Sequence, residues 1–157
     1  MVMPMYRPVI PALGFLLLLG ACSDSGDEVN IAESSPAAET AERWYDQQQV
    51  TAGAAVFSQY CSECHGDQAQ GLASDWRSRL DDGSFPPPPL NGTAHAWHHP
   101  LPVLLQVINE GGIPLGGKMP AFADVLEDEQ KLAAVAYFQQ FWSDEIFQQW
   151  QRMGGVN

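Results

Sequence analysis

Two cysteines and a histidine in one short stretch constrain this chain more than any other feature. Cys61 and Cys64 are separated by two residues, and His65 follows the second cysteine directly. This spacing places both thiols on one helical turn, where they match the two vinyl groups of a haem, and it puts the imidazole beneath the ring. The pattern therefore predicts covalent attachment of one haem c, with His65 as a ligand of the iron.

The other roles of a CxxC pair are not supported by the rest of the sequence. The chain has three cysteines, and Cys22 is the only one outside the motif. A structural zinc site needs more soft ligands than one pair supplies. A thioredoxin-like redox pair requires a βαβ context, which the sequence does not show.

The first 21 residues have the composition of an export signal. Arg7 is followed by an apolar run from Leu13 to Leu19, and Gly20-Ala21 precedes Cys22. The run is shorter than the roughly 20 residues that span a bilayer. We expect a lipoprotein signal peptide over 1–21, cleaved to leave a lipidated Cys22. The alternative is an ordinary secretory signal with an incidental cysteine.

The chain after the signal divides into three parts. Residues 22–45 are acidic and poor in large apolar side chains, which predicts a flexible tether. Residues 46–142 have the size of one domain. Residues 143–157 form a C-terminal helical extension, for which Ser143 is the expected N-cap.

The charge balance excludes one class of partner. The chain carries 19 acidic and 7 basic residues, for a formal net charge of −12. Because the phosphate backbone would repel such a surface, nucleic acid is not an expected partner. An acidic exported protein is instead suited to a partner with a basic docking face.

The hydrophobic pattern predicts an all-α domain without strands. A segment from 67 to 91 is irregular and ends in four consecutive prolines, which cannot be helical. Helical periodicity is found in four segments, Gly53 to Tyr60, Leu101 to Glu110, Leu126 to Trp142 and Asp144 to Met153.

Four motifs together resemble the class I c-type cytochromes, in particular the small single-haem lipoprotein cytochromes of bacteria. The motifs are CSECHG at 61–66, PPLNG at 88–92, GGKMP at 116–120 and LAAVAYF at 132–138. The resemblance covers about residues 50 to 142. It implies three to five short helices wrapped around one covalently bound haem, and a one-electron carrier that is not an enzyme.

Met119 is the expected second axial ligand of the iron. Gly116 and Gly117 let the backbone approach a haem, and Pro120 stiffens the loop after the methionine. A thioether is a soft, neutral ligand that raises the reduction potential. The resemblance also implies that the carbonyl of Pro88 accepts a hydrogen bond from Nδ1 of His65, with Pro89 left open as the alternative.

The segment His95-Ala-Trp-His-His99 allows more than one interpretation. Trp97 and these histidines are candidates for hydrogen bonds to haem propionates, and Arg77 and Arg79 are candidates for neutralising them or are simple surface charges. Three imidazoles within five residues could instead bind copper or zinc, or one of them could replace Met119 on the iron. Metal handling, or haem-based sensing of gas or redox state, is thus the alternative function.

The expected partners follow from the resemblance and the export signal. A quinol-oxidising complex or a dehydrogenase would donate electrons, and an oxidase or a reductase would accept them. The protein would be held by its lipid on a bacterial membrane, facing the periplasm, with inner and outer membrane both open.

Overall fold

The helix that carries the cysteine motif, α1, begins at a reciprocal cap. In the computed structural model, which describes residues 41–157, α1 spans Gln47–Tyr60. The Asp46 carboxylate accepts from the backbone N–H of Gln49 at 2.8 Å, and the Gln49 side chain accepts from the N–H of Asp46 at 3.1 Å. This capping box satisfies two N–H groups that a helix start leaves unpaired. The apolar pattern predicted that the helix starts at Gly53. The capping box places its start earlier, at Gln47.

The all-α prediction is confirmed, and the number of α-helices among residues 41–157 lies within the predicted three to five. Residues 41–157 contain no strand. After α1 follow α2 (Ser62–His65), α3 (Leu101–Glu110), α4 (Asp128–Gln139) and α5 (Asp144–Arg152), with 3-10 turns at Ala96–His98 and Ile113–Leu115. The bounds of α3 are those predicted from the sequence. None of the described helices is long and apolar enough to cross a membrane.

Helix α4 is shorter than its hydrophobic pattern predicted. Glu127 and Gln130 form a second capping box, so the helix starts after Leu126. It ends at Gln139, while Trp142 lies in the bend before α5 and is nearly fully buried. Leu126 and Trp142, at the two ends of the predicted segment, are thus core residues that lie outside the helix. Because both are apolar and buried, the hydrophobic periodicity wrongly assigned them to the helix.

The packing of α1 against α4 is the main helix–helix contact of the domain. Gly53 lies against the backbone of α4, and Phe57 stacks at a tilt on Tyr137 with 4.9 Å between ring centroids. In the described part of the chain the core has two clusters, and α1 contributes to both: Phe57 belongs to the larger and Val56 to the smaller. This helix therefore connects the cysteine motif to both halves of the core.

The C-terminal extension and the last tether residues pack on the same core. Phe147 and Trp150 of α5 are 0% and 1% exposed. Arg43 pairs with Asp144 at 2.8 Å, and Nε1 of Trp44 donates to the side chain of Gln139 at 2.7 Å. Arg43 and Trp44 thus pack on the helical domain, and the tether boundary at residue 45 stays a prediction. The predicted signal peptide, Cys22 and the earlier part of the tether lie outside the described residues.

Candidate functional site: a haem-attachment turn and its supports

The cysteine motif forms a single tight turn at the end of α1. Cys61 is both the last cap of α1 and the first cap of α2. Its carbonyl accepts from the N–H groups of Cys64 at 3.1 Å and of His65 at 2.9 Å. Both cysteines are free thiols, and Cys64 is exposed. The chain thus presents two unpaired sulfurs on one helical turn, as attachment to two vinyl groups requires.

The ring of His65 is buried and oriented by one hydrogen bond. Its Nδ1 lies 2.9 Å from the carbonyl oxygen of Pro88. A carbonyl only accepts, so Nδ1 must carry a proton, and in the neutral ring Nε2 keeps its lone pair. A metal-binding histidine uses this tautomer, and such a partner fixes the ring and increases its donor strength. Of the two prolines considered from the sequence, Pro88 is the one whose carbonyl makes this contact.

The position of Pro88 is set by the residues that follow the proline run. The N–H groups of Leu90 and Asn91 both donate to the carbonyl of Ala69, at 2.7 and 3.1 Å. The carbonyl of Leu90 accepts from Nε1 of Trp142 at 2.7 Å. The segment is thus tied to the turn after His65 on one side and to the core on the other. This double attachment decides which proline faces the histidine.

Met119 lies in a glycine-rich loop that folds back on the end of α3. Its carbonyl accepts from the N–H of Gly112 at 2.9 Å, and the N–H of Gly117 donates to the carbonyl of Gly112 at 2.9 Å. A Cβ at Gly111 would lie 2.7 Å from the carbonyl oxygen of Met119, so glycine is required for this approach. The half-buried Met119 side chain packs against the smaller core cluster, to which Val56 of α1 belongs.

Burial changes the acid–base properties of two residues in the attachment turn. It raises the pKa of the Cys61 thiol to about 11, with a further contribution from neighbouring Cys64. Burial also lowers the pKa of His65, and the hydrogen bond to Pro88 opposes this only in part. Because an iron ligand must be the unprotonated imidazole, the lowered pKa favours the form that binds metal.

The histidines of the 95–99 segment are engaged in ring contacts, and His95 and His99 meet edge to face with 5.5 Å between ring centroids. His95 stacks on Trp76 at 4.8 Å, and His98 stacks on Trp97 at 3.8 Å. Burial, followed by the neighbouring His99 and His98, lowers the pKa of His95. Within residues 41–157 no group of three or more His, Cys, Asp or Glu side chains is arranged to hold a metal ion.

The two arginines singled out from the sequence have protein partners on their own loop. Arg77 lies over the ring of Trp76 at 4.2 Å, and Arg79 lies over the ring of Phe85 at 4.1 Å. Arg79 also donates to the carbonyl of Gly83 at 2.5 Å. Contacts of Arg77, Arg79 and Trp97 with propionates stay a prediction.

Sequence reasoning missed two residues that support the Met119 loop. The N–H of Phe85 donates to the carbonyl of Gly116 at 2.8 Å, and Asp82 forms an ion pair with Lys118. Lys118 lies 36 positions from Asp82 in the chain, so no local sequence pattern predicts the contact. The one available signal was the placement of a lysine beside the candidate ligand in a chain rich in acidic residues.

The side chains in this region fit a covalently bound haem. Two free thiols on one turn, an imidazole with a free Nε2, and a thioether in a loop held by backbone bonds together make a donor set for haem rather than for a bare ion. A bare transition metal would instead need three or four protein ligands in one cluster. Fold and donor set define a c-type cytochrome domain.

Comparison with known families agrees with this class. The family "Cytochrome C oxidase, cbb3-type, subunit III" matches residues 48–138, more than half of the chain, and the chain belongs to this family. No curated protein and no solved structure was found to match it. The matched range begins at the first turn of α1 and ends at the last turn of α4. It therefore contains the cysteine motif, Pro88 and the Met119 loop.

Membership in the family defines the general chemistry. The protein is a c-type cytochrome that carries one covalently bound haem c and takes part in electron transfer with redox partners. The resemblance to cytochromes c stated from the sequence is thus confirmed.

Proposed function

We propose that the protein is a lipid-anchored periplasmic carrier of single electrons, with His65 and Met119 as the axial ligands of its haem. Cys61 and Cys64 would form the two thioether links. The haem iron supplies the one-electron couple between Fe(III) and Fe(II). With both axial positions assigned to protein side chains, the chain offers no coordination position for a substrate, so we propose no enzymatic role.

The observation that carries the proposal is the contact between Nδ1 of His65 and the carbonyl of Pro88 at 2.9 Å. It holds the proton on Nδ1 and the ring in one orientation, so that Nε2 is free for the iron. Hydrogen bonding to a backbone carbonyl also leaves the imidazole neutral overall, unlike a carboxylate partner. A neutral imidazole together with a neutral thioether favours the reduced state, which suits a carrier of relatively high potential.

The direction of electron flow is proposed from the class of protein. The donor would be a quinol-oxidising complex or a dehydrogenase, and the acceptor an oxidase or a reductase. The family description names an oxidase subunit, which favours an oxidase as the acceptor. The acidic chain would dock on a basic face of either partner.

The anchor is proposed from the sequence before residue 41. Lipidation of Cys22 and removal of residues 1–21 would tether the domain to a bacterial membrane, on its periplasmic side. Cells grown with labelled palmitate test this directly: the wild-type protein should become labelled, and Cys22→Ser should not. Labelling of both proteins, or of neither, would contradict the anchor.

Axial ligation is tested by the optical spectrum of the haem-loaded protein. The weak methionine–iron band at about 695 nm should be present in the oxidised wild type and absent in Met119→Ala. Met153→Ala is the matched control, because Met153 is exposed at the end of α5, and it should keep the band. A wild type without the band would overturn ligation by Met119. A histidine from the 95–99 segment would then be the candidate for the second axial ligand.

A further inference from the structure

The Met119 loop is flexible by composition and needs external support. Gly116 has a φ of +85°, and Gly117 follows it directly. Glycine has more backbone freedom than any other residue, so ordering it costs more conformational entropy. From the α3 side, backbone bonds to Gly112 hold Gly117 and Met119. Gly116, which precedes Gly117, and Lys118, which lies between Gly117 and Met119, are held by a different part of the chain.

That support comes from residues 79–85, which we call the 79–85 loop. Phe85 donates its N–H to the carbonyl of Gly116 at 2.8 Å, and the Asp82 carboxylate pairs with the ammonium of Lys118. The two contacts lie on either side of Gly117, one on the backbone and one on a side chain. Together they fix both the position and the rotation of the loop directly before Met119.

The 79–85 loop is itself rigid enough to act as a support. Leu80 and Ser84 are joined by a backbone bond of 2.8 Å, and Gly83 donates to the carbonyl of Leu80 at 2.8 Å. Asp82 accepts from both the N–H and the hydroxyl of Ser84, at 3.0 and 2.6 Å. These bonds hold the Asp82 carboxylate in one orientation before it meets the ammonium group, so less side-chain entropy is lost in forming the pair.

The same continuous segment also supports the other assigned ligand. Phe85 is followed by four prolines, and the third of them, Pro88, contacts His65. Consecutive prolines adopt an extended conformation with little freedom. One short stiff segment therefore joins the contact on Gly116 to the contact on His65.

We infer that the 79–85 loop is a clamp on the Met119 loop, and that Asp82 is its positioning residue. By pairing with Lys118, Asp82 keeps the thioether on the iron and slows its replacement by other ligands. The inference rests on the proposed ligation by Met119.

The test is the rate at which imidazole binds to the oxidised, haem-loaded, full-length protein, since the thioether must leave before imidazole enters. Asp82→Asn should raise this rate about two- to fivefold, the range expected for loss of one exposed ion pair. Asp81→Asn is the matched control: it removes the same charge from the neighbouring position, for which no ion pair is found in the described chain, and should leave the rate unchanged. Both variants should unfold within a few degrees of the wild type, because both side chains are exposed and an exposed ion pair contributes at most about 1 kcal/mol.

Two further measurements separate the clamp from a general charge effect. Salt at about 1 M should raise the wild-type rate toward that of Asp82→Asn and leave the variant's rate nearly constant. Exchange of the two charges, Asp82→Lys with Lys118→Asp, should restore slow binding in part, because the ion pair returns while the hydrogen bonds from Ser84 to residue 82 are lost. Equal rates in Asp82→Asn and Asp81→Asn would overturn the clamp alone. Absence of the methionine–iron band from the wild type would overturn the proposed ligation, and the clamp with it.

Discussion

Gly53 in α1 and Ala133 in α4 approach so closely that a Cβ on Gly53 would lie 1.9 Å from the carbonyl oxygen of Ala133. The same atom would lie 2.9 Å from the Cβ of Tyr137. The backbone and a side chain of α4 together leave no room for a Cβ at position 53, so only glycine fits there. The crossing of these two helices depends on this contact.

We therefore expect Gly53→Ala to destabilise the domain by about 3 kcal/mol, at the upper end of the usual cost of overpacking, since neither backbone can move without disturbing its own helix. The midpoint of urea unfolding, followed by far-UV circular dichroism, measures this. Ser58→Ala in the exposed part of the same helix is the control and should change stability by less than about 0.5 kcal/mol. A Gly53→Ala protein as stable as this control would show that the close approach of α1 and α4 can relax at little cost.

The extension after residue 142 should be essential for stability. Trp150 is 1% exposed, and its Nε1 donates to the carbonyl of His99 at 2.8 Å. Trp150→Ala should cost about 3–5 kcal/mol, because a large buried side chain is lost and a carbonyl loses its partner. Val156→Ala, at a half-exposed position of the same terminus, should be almost neutral. Thermal unfolding measures both, and equal melting temperatures would contradict the integral role of α5.

The hydrogen bond from Trp44 to Gln139 offers a test of the domain boundary. Gln139 is fully buried, and its Nε2 has no partner among the described residues. Trp44→Phe also leaves its Oε1 unpaired and should cost about 1–3 kcal/mol. Adding Gln139→Leu should recover much of that loss, because both buried polar atoms are then removed. If Trp44→Phe had no effect, residues 41–45 would belong to the tether after all.

The pKa of His95 should be below its ordinary value of about 6.5 in the reduced protein, mainly because of burial. Trp76→Ala should bring the pKa back toward that value by removing the stacked ring. The folded state prefers the neutral ring, so this contribution to stability is complete above about pH 6.5 and is lost as the pH falls from there toward the folded pKa. An NMR titration of the imidazole signals measures the pKa. Identical pKa values in wild type and Trp76→Ala would rule out desolvation by Trp76 as the cause.

Local sequence was sufficient wherever a local interaction decides the structure. The bounds of α3 follow from apolar periodicity and the glycines after it, and Ser143 caps α5 as its position before acidic residues predicted. The thiol spacing of the attachment motif is likewise a property of one helical turn. Capping by Gln49 at the start of α1 is also local, but periodicity does not detect it because the first turn is polar.

What the sequence by itself determined is therefore the chemistry, a covalent haem in an all-α domain, together with a short list of candidate ligands. The resemblance named Pro88 as the partner of His65 and left Pro89 open. Only the tertiary structure decided between the two prolines, because that choice depends on the hydrogen bonds that Leu90 and Asn91 make with Ala69 and Trp142. The contacts of Asp82 and Phe85 with the Met119 loop, and the packing of residues 41–45, were decided in the same way. Each of these contacts joins residues far apart in the chain. Such contacts depend on the packing of the whole core, and no periodic pattern in the sequence predicts them.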